Sequence, residues 1–152
     1  MTEPIETFAA LQLPPFLLSA LADVGYETPS PIQAACIPLF LGGRDLIGEA
    51  QTGTGKTAAF ALPLLAQLDL KNKSPQVLVL TPTRELAMQV AEAVDKYCKF
   101  LRHMRTGTVL GGMPYPKQRR LLEQPLDVLV ATPGRLIDFI DQGKVDFSRL
   151  EL

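Results

Sequence analysis

Residues 50–57 read Ala50-Gln-Thr-Gly-Thr-Gly-Lys-Thr57, a glycine- and threonine-rich stretch with a lysine near its end. A short apolar segment, Asp45 to Glu49, precedes it, and an apolar helical pattern, Lys56 to Leu68, follows it. A strand, a glycine-rich turn and a helix in this order are the context of a phosphate-binding P-loop. The first position holds Ala50 where the usual pattern has glycine, which is a mild departure. The sequence therefore predicts a site for a phosphate chain.

The residue types in this turn suit a nucleotide triphosphate. Glycine lets backbone N–H groups point inward without Cβ clashes, and the following helix aims its positive end at the same place. We expect Lys56 to neutralise the β- and γ-phosphates and the Thr57 hydroxyl to coordinate Mg²⁺, so these two residues are the catalytic candidates. The nucleotide-binding candidates in the turn are Ala50, Gln51, Thr52, Gly53, Thr54, Gly55, Lys56 and Thr57.

Outward from the turn, short apolar strands alternate with helices. Strands joined by helices predict right-handed βαβ units, and hence an α/β fold with a parallel sheet covered by helices on both faces. In such sheets ligands bind at the loops that leave the carboxyl ends of the strands. The predicted strands are 45–49, 76–81, 106–110 and 127–131, and the predicted helices are 15–24, 30–41, 56–68, 84–101, 116–122 and 134–141.

Composition indicates one ordinary globular domain. The chain has 152 residues, of which 47% are hydrophobic and 20% charged, so disordered and collagen-like classes are excluded. The apolar runs are short, and the first ten residues have no basic region, so we expect neither a membrane span nor a secretory signal. Cys36 and Cys98 lack metal-binding spacing and fall in apolar helical patterns. They are expected to be reduced core residues of a cytoplasmic protein.

Charge is distributed unevenly along the chain. The net charge is −1, but residues 96–122 contain seven Lys or Arg and no Asp or Glu, whereas residues 1–50 contain six acids and Arg44 alone as a base. A one-sided basic segment in a neutral chain is typical of a surface that faces phosphates, although a solvated helix face gives the same pattern.

The segment Gly25-Tyr-Glu-Thr-Pro-Ser-Pro-Ile-Gln33 can select the base of the nucleotide. Its prolines stiffen the entry to a helix, so Gln33 is held in place. The amide of Gln33 can both donate and accept, which matches the N6 amine and N7 of adenine. Phe8 and Tyr26 are candidates for aromatic contacts with the base, although each aromatic taken singly is typical of a core residue.

Five motifs in order resemble those of the DEAD-box ATP-dependent RNA helicases. Gly25–Gln33 resembles the Q motif, with Phe8 as its upstream aromatic, and Ala50–Thr57 resembles motif I. Segments similar to motif Ia, the paired glycines and motif Ib follow. The resemblance implies a RecA-like P-loop fold, ATP and Mg²⁺ as cofactors, and RNA bound through its backbone largely without regard to base sequence. The RNA-binding residues that it implies are Pro82, Thr83, Arg84, Gly111, Gly112, Thr132, Gly134 and Arg135.

The resemblance also bears on domain organisation and turnover. It implies a Q-motif region at 1–33 and part of the first RecA-like, ATP-binding domain at 34–152, incomplete at its carboxyl end. ATP hydrolysis requires an acid at the end of a strand, and neither the strand before Thr81 nor that before Thr132 ends in one. In the family the Asp-Glu-Ala-Asp motif lies just after the segment that corresponds to residues 147–152, so we expect these 152 residues alone not to hydrolyse ATP. The alternatives are a non-catalytic nucleotide- or RNA-binding module and another P-loop enzyme, such as a small kinase or a GTPase.

Overall fold

The computed structural model describes residues 7–50, 55–71, 74–148 and 150. The chain divides into two compact units, one formed by Met1–Gln67 with Lys96–Arg102 and the other by Leu68–Asp95 with His103–Leu152. The predicted boundary at residues 33 and 34 falls inside a helix of the first unit, so the Q-motif region and the segment after it share that helix.

The regular elements described in the first unit are helices. A short 3-10 helix, Phe8–Leu11, is followed by α1 (Pro15–Asp23), α2 (Pro31–Leu41) and α3 (Lys56–Ala66). Helix α2 begins where the sequence predicts, because Ser30 caps it through a capping box and Pro31 occupies its first turn. Helix α2 packs against α3 and the 3-10 helix, and the fully buried residues of this unit include Leu17, Leu21, Ile37, Leu62 and Leu65.

The predicted strand at Asp45–Glu49 is wrong, because residues 44–50 form no regular element. Ile47 leaves 97% of its surface exposed. A strand is stabilised by hydrogen bonds to a neighbouring strand, and the ladders among the described residues join only the three strands of the second unit.

The second unit is built on a parallel sheet. Its strands are β1 (Val77–Leu80), β2 (Thr106–Val109) and β3 (Val128–Ala131), arranged in the order β1-β3-β2. Val128 is in register with Val77 on one side and with Thr106 on the other. Helix α4 (Arg84–Tyr97) follows β1, α5 (Tyr115–Leu122) follows β2, and α6 (Pro133–Asp141) follows β3. The predicted α/β fold with a parallel sheet is thus confirmed.

Strand β3 lies at the centre of this sheet and is buried along its whole length. Leu129 and Ala131 of β3 pack in a core with Val109, Leu126, Leu136 and Phe139, so α6 covers one face of the central strand. Burial on this scale is expected for an inner parallel strand, which explains the continuous apolar run in the sequence. As predicted, Cys36 and Cys98 are buried and form no disulfide. No helix within the described ranges has the length and apolarity that crossing a bilayer would require.

Candidate functional site

The amino end of α3 is the part of the predicted phosphate site that the structure describes. Gly55 precedes the helix with a φ of 84°, in the left-handed region that favours glycine. Lys56 is exposed at the first helical position and Thr57 is half-buried at the second. No side chain of the described residues caps this end, so its N–H groups suit an anion. The predicted ligands Gln51, Thr52, Gly53 and Thr54 lie outside the described residues.

Gln33 joins the start of α2 to the start of α3. Its side chain is buried, and its Oε1 accepts a hydrogen bond from the Ser30 N–H at 2.9 Å. Its Nε2 donates to the Gly55 carbonyl oxygen at 3.1 Å. Counting only bonds to the described residues, the amide keeps one N–H and one lone pair that a ligand could use. Gly55 fits closely because a Cβ at this position would collide with Gln33 Nε2 and would lie 3.3 Å from Ser30 Oγ.

A cavity of about 350 Å³ lies beside this end of α3. Most of its lining is apolar, and Lys56 is its only charged lining residue among those described. The other predicted nucleotide contacts differ in exposure, since Phe8 is buried, Tyr26 is 45% exposed and Ala50 is half-buried. Among the described residues, the structure brings together Gln33, Gly55 and Lys56.

Residues predicted to bind RNA lie at the carboxyl ends of the three strands in the second unit. After β1, Pro82, Thr83 and Arg84 are exposed, and Thr83 Oγ1 accepts from the Leu86 N–H in the first turn of α4. The Arg84 side chain is 45% exposed, with its Nε 4.0 Å from the Glu85 carboxylate. Because that ion pair is long and exposed, it holds the guanidinium weakly.

The loops after β2 and β3 meet the loop after β1 at this edge. The Gly111 N–H donates to Thr132 Oγ1 at 3.0 Å. Gly112 has a φ of 80°, and a Cβ there would lie 2.9 Å from Arg84 Nη1. Gly134 is exposed, with open space where a side chain would be. Three motifs that are distant in sequence thus form one surface, as predicted for ligand-binding loops of a parallel sheet.

Arg135 points inward from this surface. Only 9% of the residue is exposed, and its Nη1 donates to the Met113 carbonyl oxygen at 2.6 Å and to Gln118 Oε1 at 2.9 Å. Its guanidinium lies 3.8 Å from the centroid of the Tyr115 ring. Direct contact between Arg135 and a phosphate stays a prediction from the motif, because the guanidinium is buried and bonded to Met113 and Gln118.

No motif in the sequence marks the residues around Arg135. The Tyr115 hydroxyl donates to Asp138 Oδ2 at 2.5 Å, and this hydrogen bond is the main reason that the Tyr115 pKa is raised. Gln118 is buried and its Nε2 donates to the Leu110 carbonyl oxygen at 3.1 Å. These residues lie on α5 and α6, where the sequence shows only a basic segment. A solvated helix face is one interpretation of the basic segment, but Arg119 in that segment is half-buried, and its Nε has no hydrogen-bond partner among the described residues.

Among the described acidic residues of the second unit, Asp127 lies away from the loop edge. Asp127 is buried immediately before β3, at the amino end of the strand, where its Oδ2 accepts from the Arg105 N–H at 3.1 Å. Strands β1 and β3 lead into Thr81 and Thr132, as read from the sequence. Across the part of the chain that the structure describes, no three His, Cys, Asp or Glu residues cluster as metal ligands.

Sequence comparisons agree on one family. The family model described as DEAD/DEAH box helicase matches residues 30–152. The protein named ATP-dependent RNA helicase DeaD from Haemophilus influenzae is 54% identical over 150 residues, and that from Mycobacterium tuberculosis is 50% identical over 145. These alignments cover 99% and 95% of this chain but 24% and 26% of those proteins. The chain thus spans about a quarter of the length of these curated relatives.

Comparison with solved structures also finds similarity to a DEAD box protein. The crystal structure of a DEAD box protein from the hyperthermophile Methanococcus jannaschii matches with a TM-score of 0.89 and 35% sequence identity. The match covers 96% of this chain and 40% of that one.

Proposed function

Because this chain belongs to the DEAD/DEAH box helicase family, whose model matches residues 30–152, we propose that it binds ATP and RNA as part of an ATP-dependent RNA helicase. The resemblance predicted from the five motifs is confirmed at the level of the family. The RNA contacts, the nucleotide contacts and a cytoplasmic location are proposals.

The observation that carries the proposal is the meeting of three motifs at one edge of the sheet. Arg84, the Gly111–Gly112 turn and Thr132 each follow a different strand, and Thr132 bonds to Gly111. Exposed backbone N–H groups, hydroxyls and an arginine fork are the groups that bind a phosphodiester backbone. Such contacts carry no base information, so the proposed ligand is RNA of any sequence.

The amino end of α3 supports the nucleotide part of the proposal. Lys56 is exposed beside helix N–H groups that no described side chain caps, which fits a triphosphate. Gln33 bonds to Gly55 and so connects the proposed adenine contact with the phosphate turn. The half-buried Thr57 hydroxyl is one oxygen ligand for Mg²⁺, which commonly completes its coordination with phosphate oxygens and water. When bound, Mg²⁺ would neutralise charge on the phosphates.

Equal binding of unrelated RNA sequences tests the RNA contacts. We expect the chain to bind single-stranded oligouridylate and oligoadenylate of the same length with affinities within about a few-fold of each other, because backbone contacts dominate. Fluorescence anisotropy measures both affinities, and circular dichroism of the same sample checks that the chain is folded. Folded protein that binds neither RNA would contradict the proposal, and a strong preference for one base would contradict backbone recognition.

A second candidate function applies to the 152 residues alone, namely binding without turnover. The observation that favours it is the placement of Asp127 at the amino end of β3, away from the strand exits where Mg²⁺ chemistry requires an acid. We expect phosphate release at the background rate in a steady-state assay with ATP, Mg²⁺ and RNA. Turnover that disappears in Lys56→Ala would overturn this expectation, since that control separates intrinsic hydrolysis from a contaminating ATPase.

A further inference from the structure

We propose that Tyr115, Gln118 and Asp138 are positioning residues for RNA binding. They hold the Arg135 guanidinium inside the protein, where it fixes the Gly111–Gly112 turn. Arg135 would then contribute to RNA affinity through the shape of the turn and not as a phosphate ligand. This inference deepens the proposed RNA-binding function and rests on it.

The hydrogen bonds of Arg135 and Gln118 hold the turn on both sides. Arg135 Nη1 donates to the carbonyl oxygen of Met113, the residue directly after the glycine pair, at 2.6 Å. The same Nη1 donates to Gln118 Oε1 at 2.9 Å. Gln118 Nε2 in turn donates to the carbonyl oxygen of Leu110, the residue directly before the pair, at 3.1 Å. One connected network therefore fixes the two ends of the Gly111–Gly112 turn.

Tyr115 and Asp138 fix the plane and the position of the guanidinium. The Tyr115 ring lies against Arg135 at 3.8 Å from centroid to Cζ, a distance at which the ring face attracts a cation. The Tyr115 hydroxyl donates to Asp138 Oδ2 at 2.5 Å, and the same ring packs against Phe139 with centroids 5.7 Å apart. Because Asp138 and Phe139 follow Arg135 on α6, the ring is held between that helix and the guanidinium.

Burial separates the role of Arg135 from that of Arg84. Arg135 is 9% exposed, whereas the Arg84 side chain is 45% exposed beside the Gly112 backbone. A cation that binds a phosphate releases counterions, and for single strands each such contact contributes about 0.7 to the slope of log affinity against log salt. A buried arginine that only shapes a turn contributes nothing to that slope.

The first test uses the full 152-residue chain without RNA. Arg135→Lys keeps the charge but removes the planar fork, and Tyr115→Phe removes only the hydroxyl that bonds to Asp138. Both are expected to speed amide hydrogen exchange in residues 110–113 while exchange in β3 stays at the wild-type rate. Wild-type exchange in residues 110–113 in both variants would overturn the inference whether or not the chain binds RNA.

The second test measures oligouridylate affinity over a range of salt concentrations. Arg84→Gln is expected to flatten the slope by about 0.7, and the exposed Lys71→Gln to change neither slope nor affinity. Arg135→Lys and Tyr115→Phe are expected to weaken binding about three- to tenfold with the wild-type slope. Two results would identify a direct phosphate contact and overturn the inference. One is wild-type RNA affinity in Arg135→Lys, and the other is a salt slope that Arg135→Gln flattens as much as Arg84→Gln does. Absence of wild-type RNA binding would instead refute the proposed function, leaving the exchange test to decide the network.

Discussion

Replacing Lys56 with alanine is expected to lower the affinity for ATP by about 10-fold to more than 100-fold, the range for losing a hydrogen bond to a charged group. Lys56 is exposed at the first position of α3 and is the only charged residue that lines the adjoining cavity within the described chain. Alanine favours the helix, so the loss is expected without unfolding. Isothermal titration calorimetry with ATP and Mg²⁺ measures the change.

Two controls make the Lys56 experiment specific. Lys71→Ala removes an exposed lysine from a loop outside the proposed site and is expected to leave ATP affinity unchanged. Lys56→Arg keeps the positive charge but replaces a compact ammonium by a planar guanidinium, so we expect an ATP affinity between those of Lys56→Ala and the wild type. ATP affinity that is the same in Lys56→Ala and wild type, with matching circular dichroism, would refute the role of Lys56 at the phosphates.

Helices and strands that are marked by nearby capping residues or apolar runs could be predicted from the sequence. Helix α2 carries its own start and stop, since Ser30 caps it, Pro31 fits its first turn and Gly42 follows its last residue. Strand β3 is an uninterrupted apolar run because it is buried between two other strands. The segment Asp45–Glu49 has a similar local pattern but no described partner strand, and a pattern of five residues cannot reveal whether a partner is present.

Local sequence patterns could not predict where the side chains of the site point. The motif places Arg135 at a strand exit, which is where a phosphate ligand is expected, but its partners Met113 and Gln118 lie 22 and 17 residues away. Gln33 is likewise bonded to Gly55 across 22 residues. A motif gives the residue type and its position on an element. Which neighbour the side chain then meets depends on how the elements pack, and burial decides whether a charge faces solvent.

Replacing Gln33 is expected to have the second large effect on nucleotide binding. Its amide has two proposed roles, which are to contact adenine and to hold Gly55. Gln33→Ala removes the bonds to Ser30 and to Gly55 together with the proposed adenine contact. A site built to hydrogen-bond a ligand discriminates strongly against analogues that leave its polar groups unpaired, so removing the amide should reduce the preference for ATP over GTP. We also expect weaker binding of inorganic tripolyphosphate, which has no base, because Gly55 loses its anchor.

Ser30→Ala and Gln33→Glu separate these effects when each variant is titrated with ATP, GTP and tripolyphosphate. Ser30→Ala weakens the helix cap at a cost of about 1 kcal/mol in the free energy of unfolding, yet leaves the Gln33 amide in place, so the ATP preference should persist. Gln33→Glu retains an acceptor for the Ser30 N–H but sets a carboxylate against the Gly55 carbonyl oxygen. Its helix cap should therefore survive while binding of all three ligands falls. An unchanged preference for ATP over GTP in Gln33→Ala would refute adenine recognition by Gln33. An unchanged tripolyphosphate affinity in Gln33→Glu would refute the coupling of Gln33 to the phosphate turn. Each role is therefore tested by a separate measurement.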